Sequence, residues 1–245
     1  MLESTSAYII DAGNTRVKIA HFNNDSIKSV ASYETVNRDL LLNKLAEIKG
    51  EKSILSSVTD NELLNLIQKT LSPTITLSSQ TPLPIDLSEY KSIETLGTDR
   101  IANAVAGYHY AKSKNCLIID IGTCIKFDMV TSDGYYQGGS ISPGLKMRFK
   151  ALSEFTGRLP FIENWESSPL IGQNTAESIS SGVINGINAE IKGFVEQYNQ
   201  QFKNLTIFLT GGDHKIFDIA LKNSIFVDEK LTLKGLYLIL KHNAN

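Results

Sequence analysis

The sequence predicts an α/β protein built from two duplicated lobes, each a mixed sheet with helices, with an active-site cleft between them. Three observations carry that expectation. Strand-like and helix-like segments alternate through the 245 residues. The stretch "IIDAGNTRVKIA" (Ile9–Ala20) is echoed by "IIDIGTCIKFDM" (Ile118–Met129). Each copy opens a similar run of strands, which implies duplication.

The elements follow in order. Ala7–Asp11 is apolar and stops at a glycine, as a buried strand does. Arg16–Phe22 alternates, with Val17 and Ile19 on one face and Arg16 and Lys18 on the other. Asn23-Asn24-Asp25 is a tight-turn signal, so Ser26–Tyr33 returns as a third strand. Leu41, Leu42, Leu45 and Ile48 form a helical stripe over Asp39–Lys49. A strand at Ser53–Val58, a helix at Asn61–Thr70 and a short strand at Ile75–Leu77 follow. Pro82 and Pro84 make Ser79–Glu94 mostly loop, and Asp99–Ser113 is helix-compatible. The second block repeats the opening: strand Leu117–Asp120, strand Ile125–Thr131, the Asp133-Gly134 turn, and strand Tyr135–Ile141. Helix follows Pro143-Gly144, then a polar loop around Trp165–Gly172 and a long helix near Thr175–Phe202. Strand Leu205–Leu209 stops at Gly211-Gly212. A short helix, a strand near Ile225–Val227 and a C-terminal helix close the chain. The expected lobes are residues 1–105 and 106–245, with the junction between the Gly97 region and Asn115.

Composition narrows the function. A net charge of −2 supplies no basic field for nucleic acid or an anionic membrane, so neither is an expected partner. The longest apolar runs are strand-length, and the start "MLESTSAYII" has no secretory pattern. Two cysteines, Cys116 and Cys124, are too few for a disulfide scaffold. The expected compartment is the reducing cytoplasm.

The repeated turns point to phosphate. In Asp11-Ala12-Gly13-Asn14-Thr15 a carboxylate ends a strand, a glycine permits a close bend, and amides and a hydroxyl follow. Such a turn aims N–H groups at phosphate oxygens, and Lys18 adds charge nearby. Asp120-Ile121-Gly122-Thr123 offers the same parts one residue shorter, with Lys126 beyond. Either turn alone reads more readily as an ordinary hairpin; two at corresponding places read as a grip on a triphosphate. No Walker A loop and no strand followed by G-x-G-x-x-G occurs. In "LTGGD" (Leu209–Asp213) the glycines allow a flat ring to approach bare backbone, or else form a tight turn with Asp213 as N-cap. In "GTDRIANAVAGY" (Gly97–Tyr108) Asp99 is either a helix cap or a base, with Arg100 as an anion clamp.

Taken in order, Asp-x-Gly-Asn-Thr, Gly-Thr-Asp-Arg, Asp-x-Gly-Thr, "GGSISPGL" (Gly138–Leu145), "NTAESISSGV" (Asn174–Val183) and Thr-Gly-Gly-Asp resemble the type III pantothenate kinases. These belong to the acetate and sugar kinase, Hsp70 and actin superfamily, so the implied lobes are actin/ribonuclease H-like. The resemblance spans Tyr8 to Leu236 and implies ATP-dependent phosphorylation of pantothenate to 4'-phosphopantothenate, the first step of coenzyme A biosynthesis. It implies that Asp11, Ala12, Gly13, Asn14, Thr15, Arg16, Val17 and Lys18 hold ATP phosphates, joined by Thr123. Gly211 and Gly212 would border the adenine. Asp99 would be the catalytic base. Tyr90, Gly97, Thr98, Asp99, Arg100 and Thr175 would line the pantothenate site. Asp120 would bind a monovalent cation, potassium or ammonium; magnesium would accompany ATP. The family implies a homodimer. Cys124 departs from the small residue expected there. The stripe Ile179, Val183, Ile187, Ile191 and Phe194 is either lobe core or a twofold contact. A kinase of another small hydroxylated metabolite and a non-catalytic nucleotide-binding regulator are the competing functions.

Overall fold

The structure is a computed structural model that describes residues 6–163, 168–216 and 225–244. It divides into two compact units. One comprises Met1–Tyr110, Gly134–Tyr136 and Lys230–Asn245; the other comprises Ala111–Asp133 and Gln137–Glu229.

The first unit holds β1 (Ser6–Ala12), β2 (Arg16–Asn23), β3 (Ser26–Glu34), β4 (Ser53–Ser57) and β5 (Ile75–Thr76) in the order β3-β2-β1-β4-β5. β1 and β2 are antiparallel, as are β2 and β3; β1 and β4 are parallel, as are β4 and β5. In the second unit β6 (Cys116–Ile121), β7 (Cys124–Val130), β8 (Tyr136–Pro143), β9 (Thr206–Thr210) and β10 (Ile225–Val227) run β10-β9-β6-β7-β8. Three meander strands followed by two parallel ones therefore occur twice, with the same neighbours. The duplication heard in the two Ile-Ile-Asp-x-Gly segments is a duplication of whole sheets.

Side-chain periodicity explains the packing. Ile10, Ala12, Val17 and Ile19 share the face covered by α1 (Arg38–Glu47) and α2 (Asn61–Leu71). These helices contribute Leu41 and Leu45, then Leu63, Ile67 and Leu71, at four-residue intervals. Asp60 caps α2 by accepting from Leu63 N at 2.9 Å. α3 (Thr98–Ala111) buries Ile101, Ala102, Ala104, Val105 and Ala106 completely, so apolar residues lie on more than one face. α6 (Leu231–His242) packs on β1 and β4, and a Cβ at its Gly235 would lie 1.8 Å from the Ala102 carbonyl. Asn24 and Asp25 both adopt left-handed φ, 49° and 62°, as the predicted tight turn requires. Asp25 Oδ1 accepts from Tyr237 Oη at 2.8 Å and from Lys241 Nζ at 2.7 Å, tying that turn to α6.

In the second unit, α4 (Leu145–Glu154) and α5 (Thr175–Gln201) cover the sheet. Ile179, Val183, Ile187 and Ile191 are buried there, with Phe194 packed beside them. The stripe is therefore core, because a sheet face of β-branched and aromatic residues needs that cover. Part of the loop expected around Trp165, residues 164–167, lies outside the described residues. The short helix expected after Gly212 is a 3-10 turn at His214–Ile216, and residues 217–224 again lie outside the described set. No helix among the described residues is long and apolar enough to cross a membrane.

Three outcomes test this packing. Ile187→Ala should cost about 2–5 kcal/mol in urea unfolding, as cavity formation in a closed core does. Cys116, whose thiol burial pushes up to about 12, should resist a disulfide reagent at pH 8 until the protein unfolds. Asp25 is held below its ordinary carboxylate range, first by the Lys241 hydrogen bond and then by Tyr237. Its lowered folded pKa means stability present above the unfolded value and lost as pH falls through the folded one. Asp25→Asn should therefore cost a few tenths to about 1 kcal/mol at pH 7, as exposed ion pairs do. Most of that difference should vanish near pH 3, as read from urea titrations at the two pH values.

Candidate active site

The two glycine turns have one geometry. In the β1–β2 hairpin Asp11 lies directly opposite Lys18 and Ala12 opposite Val17. The seven-residue spacing is thus a cross-strand pair around the turn Gly13-Asn14-Thr15, closed by Gly13 N donating to Arg16 O at 3.0 Å. Ala12 and Val17 are fully buried, so only their backbones could serve a ligand. Asn14, Thr15 and Arg16 are exposed. Thr35, just past β3, braces the turn by donating its amide to Thr15 O at 3.1 Å and its hydroxyl to Asn14 O at 3.1 Å. A polar cavity of about 360 Å³ opens beside Asn14, lined also by Thr35, Arg38, Thr59 and Asp60.

In the β6–β7 hairpin Asp120 lies opposite Lys126 across the two-residue turn Gly122-Thr123. Here the pair is closed: Lys126 Nζ sits 2.8 Å from Asp120 Oδ2, with both side chains mostly shielded. Backbone braces this turn. Gly144 N donates to Thr123 O at 3.0 Å, and a Cβ on Gly144 would fall 2.1 Å from Gly122 O. Gly211, at φ +96°, presses on β6 so closely that a Cβ would lie 2.2 Å from Ile121 O. Asp213 N donates to the same carbonyl at 3.0 Å. His214 Nδ1 donates to Gly211 O at 2.7 Å. Burial raises the Asp213 carboxyl above its ordinary range, opposed by Lys146. Gly212 has open space around it. Farther along, Glu190 on α5 accepts from Ser142 Oγ and from Arg148, while Arg148 Nε donates to Pro143 O at 2.8 Å. That network pins the end of "GGSISPGL".

The Gly97–Arg100 segment belongs to the first unit. Parallel pairing sets Ser56 beside Asp11. The Ser56 hydroxyl donates to Thr98 Oγ1 at 3.0 Å, and Thr98 Oγ1 donates to Ser57 O at 3.1 Å. The start of α3 is thus fastened to the strand adjoining the first turn. Asp99 Oδ1 accepts from Arg100 N at 2.8 Å and folds back over Gly97, where a Cβ would lie 2.6 Å away. Arg100 is buried, its guanidinium carbon 5.9 Å from the ring centres of both Tyr90 and Tyr136. Thr175 is placed in the second unit, exposed as the first residue of α5 behind the N-cap Asn174.

Sequence reasoning assigned no role to Ser56, Tyr136, Gly144 or His214. Ser56 lies in the strand Ser53–Ser57, three of whose residues are serines, so its hydroxyl did not stand out locally. It also left Lys126 as mere nearby charge, although the spacing from Asp120 was the clue to their register.

The donor at Asp120 is its carboxylate, and the nearby carbonyls of Ile121, Thr123 and Cys124 already accept backbone amides. All are hard oxygen ligands. Lys126 already balances the aspartate charge, so this set suits a singly charged ion better than a divalent one.

Two duplicated five-stranded sheets, each with a glycine turn between its first strands, define the actin-like and sugar-kinase fold. A family model described as type III pantothenate kinase matches residues 8–197. The chain is 45% identical over 241 residues to the type III pantothenate kinase of Christiangramia forsetii, covering 96% of this chain and 98% of that protein. It is 43% identical over 237 residues to that of Bacteroides fragilis, covering 96% and 97%. Among solved structures, a Campylobacter jejuni protein described as a Baf family transcriptional activator superposes with TM-score 0.66 at 23% identity, covering 96% of this chain and 98% of that one. MreB5 of Spiroplasma citri, bound to ADP, superposes with TM-score 0.52 at 11% identity, covering 97% and 96%. The chain belongs to the type III pantothenate kinase family.

Glycine substitutions separate the roles. Gly211→Ala should lose about 1–3 kcal/mol from its left-handed backbone alone, with the clash against Ile121 adding to that, and should lower the melting temperature. Gly97→Ala meets only a movable carboxylate, so it should melt near the parent temperature.

Proposed function

We propose that this chain transfers the γ-phosphoryl group of ATP to the primary hydroxyl of pantothenate, with Asp99 accepting the hydroxyl proton. The observation that carries this reading is the fastening of the Asp99 helix start to the strand beside the Asp11–Lys18 turn, through Ser56 and Thr98. Phosphoryl transfer is mainly alignment and charge stabilisation. In this reading Gly13, Asn14, Thr15 and Arg16 present amides and side chains to the phosphates, while Ala12 and Val17 contribute backbone only. Asp11 and Lys18 flank them, and Thr123 serves the same nucleotide. Gly211 and Gly212 border its base. Tyr90, Gly97, Thr98, Arg100 and Thr175 serve pantothenate, with Arg100 paired to its carboxylate. Magnesium travels with ATP and neutralises phosphate charge. Asp120 with the turn carbonyls holds potassium or ammonium; sodium, being smaller, suits such a cage poorly.

The enzyme acts as a homodimer in the cytoplasm, where Cys116 and Cys124 stay free thiols as found here. The α5 stripe is committed to the core, so a dimer contact has to use other surface. Nucleic acid and membrane play no part.

A coupled assay of ADP release tests the reaction. ADP should appear only with pantothenate present and should fall sharply when sodium replaces potassium at fixed ionic strength. Asp99→Asn should keep the melting temperature and ATP binding but lower turnover by about 10²–10⁴-fold, the usual worth of a positioned base. A near-normal rate in that variant would return Asp99 to a capping role.

A further inference from the structure

We infer that Tyr136 is a positioning residue: with Tyr90 it seats the Arg100 guanidinium and thereby sets the preference for a carboxylate-bearing substrate. The inference rests on the assignment of Arg100 to the pantothenate carboxylate. Three distances define the seat. The guanidinium carbon lies 5.9 Å from each ring centre, and the two rings lie 5.4 Å apart at a 59° tilt. The cation therefore sits at the apex of a near-equilateral triangle, within reach of both π faces. Contact inside about 6 Å is where cation–π attraction becomes significant, and desolvation strengthens it. Arg100 is 5% exposed and Tyr136 is fully buried, so water competes little for the charge.

The seat is held from behind. Tyr136 N donates to Asp86 O at 2.9 Å, and Asp86 N donates to Gly134 O at 2.9 Å. This bridge fixes Tyr136 to the loop that carries Tyr90. Gly134, at φ +89°, lies so close to Tyr108 that an added Cβ would be 3.1 Å from its ring. An aromatic seat engages a guanidinium through its charge rather than through its in-plane N–H donors, which are the groups that recognise a carboxylate in bidentate fashion. It can thus aim the donors without consuming them. Because Arg100 follows Asp99 in the first turn of α3, the seat also steadies the helix start that bears the base.

The test measures dissociation constants for pantothenate, for its neutral analogue with a hydroxymethyl group in place of the carboxylate, and for ATP. Tyr136→Phe keeps the ring. Tyr136→Leu removes it, with Tyr136→Met as the substitute if the leucine variant does not fold. Loss of the ring should weaken pantothenate by about tenfold, within the range of one cation–π contact. The neutral analogue and ATP should stay within about twofold, and Tyr136→Phe should restore pantothenate binding. Equal weakening of all three ligands would make Tyr136 a plain core residue and overturn the inference. So would unchanged pantothenate binding in the leucine variant, or a phenylalanine variant as weak as the leucine one. Arg100→Gln separates the two levels. If it leaves pantothenate binding intact, the Arg100 assignment falls and the seat with it, while pantothenate-dependent ADP release by the parent would still uphold the kinase reaction.

Discussion

The register of the first antiparallel pair in each sheet is the constraint on which the rest depends. Side chains along a strand alternate faces, so a slip of one residue exchanges core and surface everywhere along it. With Ile10 and Ala12 held in the core, Asp11 must face the other way and meet Lys18. With Ile119 and Ile121 held in the core, Asp120 must meet Lys126. Both aspartates are thereby delivered to the end of a central strand, where the chain turns through glycine. The parallel neighbour is then fixed as well: Ser56 lines up beside Asp11 and Thr210 beside Asp120. From Ser56 the constraint passes by hydrogen bond to Thr98, and so to the helix start carrying Asp99.

The two copies use one hairpin differently. The first turn is three residues long, exposes Asn14 and Thr15, and is braced only by hydrogen bonds from Thr35. That leaves amides and a hydroxyl accessible to a ligand. The second turn is a residue shorter, its Asp–Lys pair is closed and shielded, and glycine backbones press on it from two directions. Close backbone contact of this kind excludes water and removes freedom, which suits a platform more than a grasping loop. Electrostatics follow the same division. Arg16 and Lys18 bring two cations to the first hairpin, Arg16 in an exposed pair with Glu34 at 3.6 Å, whereas Lys126 closes on the shielded Asp120.

Asp99 and Arg100 are adjacent residues of opposite charge at the start of α3. Asp99 turns back to the Arg100 amide over Gly97, and the Arg100 guanidinium is drawn to Tyr90 and Tyr136. Glycine at position 97 is what allows the first of these, since no other residue leaves room for the carboxylate.

The sequence by itself determined the fold class and nearly every element. Those features rest on local information: the two- and 3.6-residue periods, turn chemistry at Asn23–Asp25 and Gly122, and a motif order that survives without knowledge of distance. It left the α5 stripe undecided between core and partner contact, because periodicity marks an apolar face but not what covers it. The tertiary structure gave that face to the second sheet. It also decided that Lys126 closes on Asp120, that Gly144 and Gly211 are glycines because backbones from distant segments meet there, and that Tyr136 joins Tyr90 around Arg100. Each of these is a contact between residues far apart in the chain, fixed by packing and register, and no local pattern encodes which distant atom will arrive.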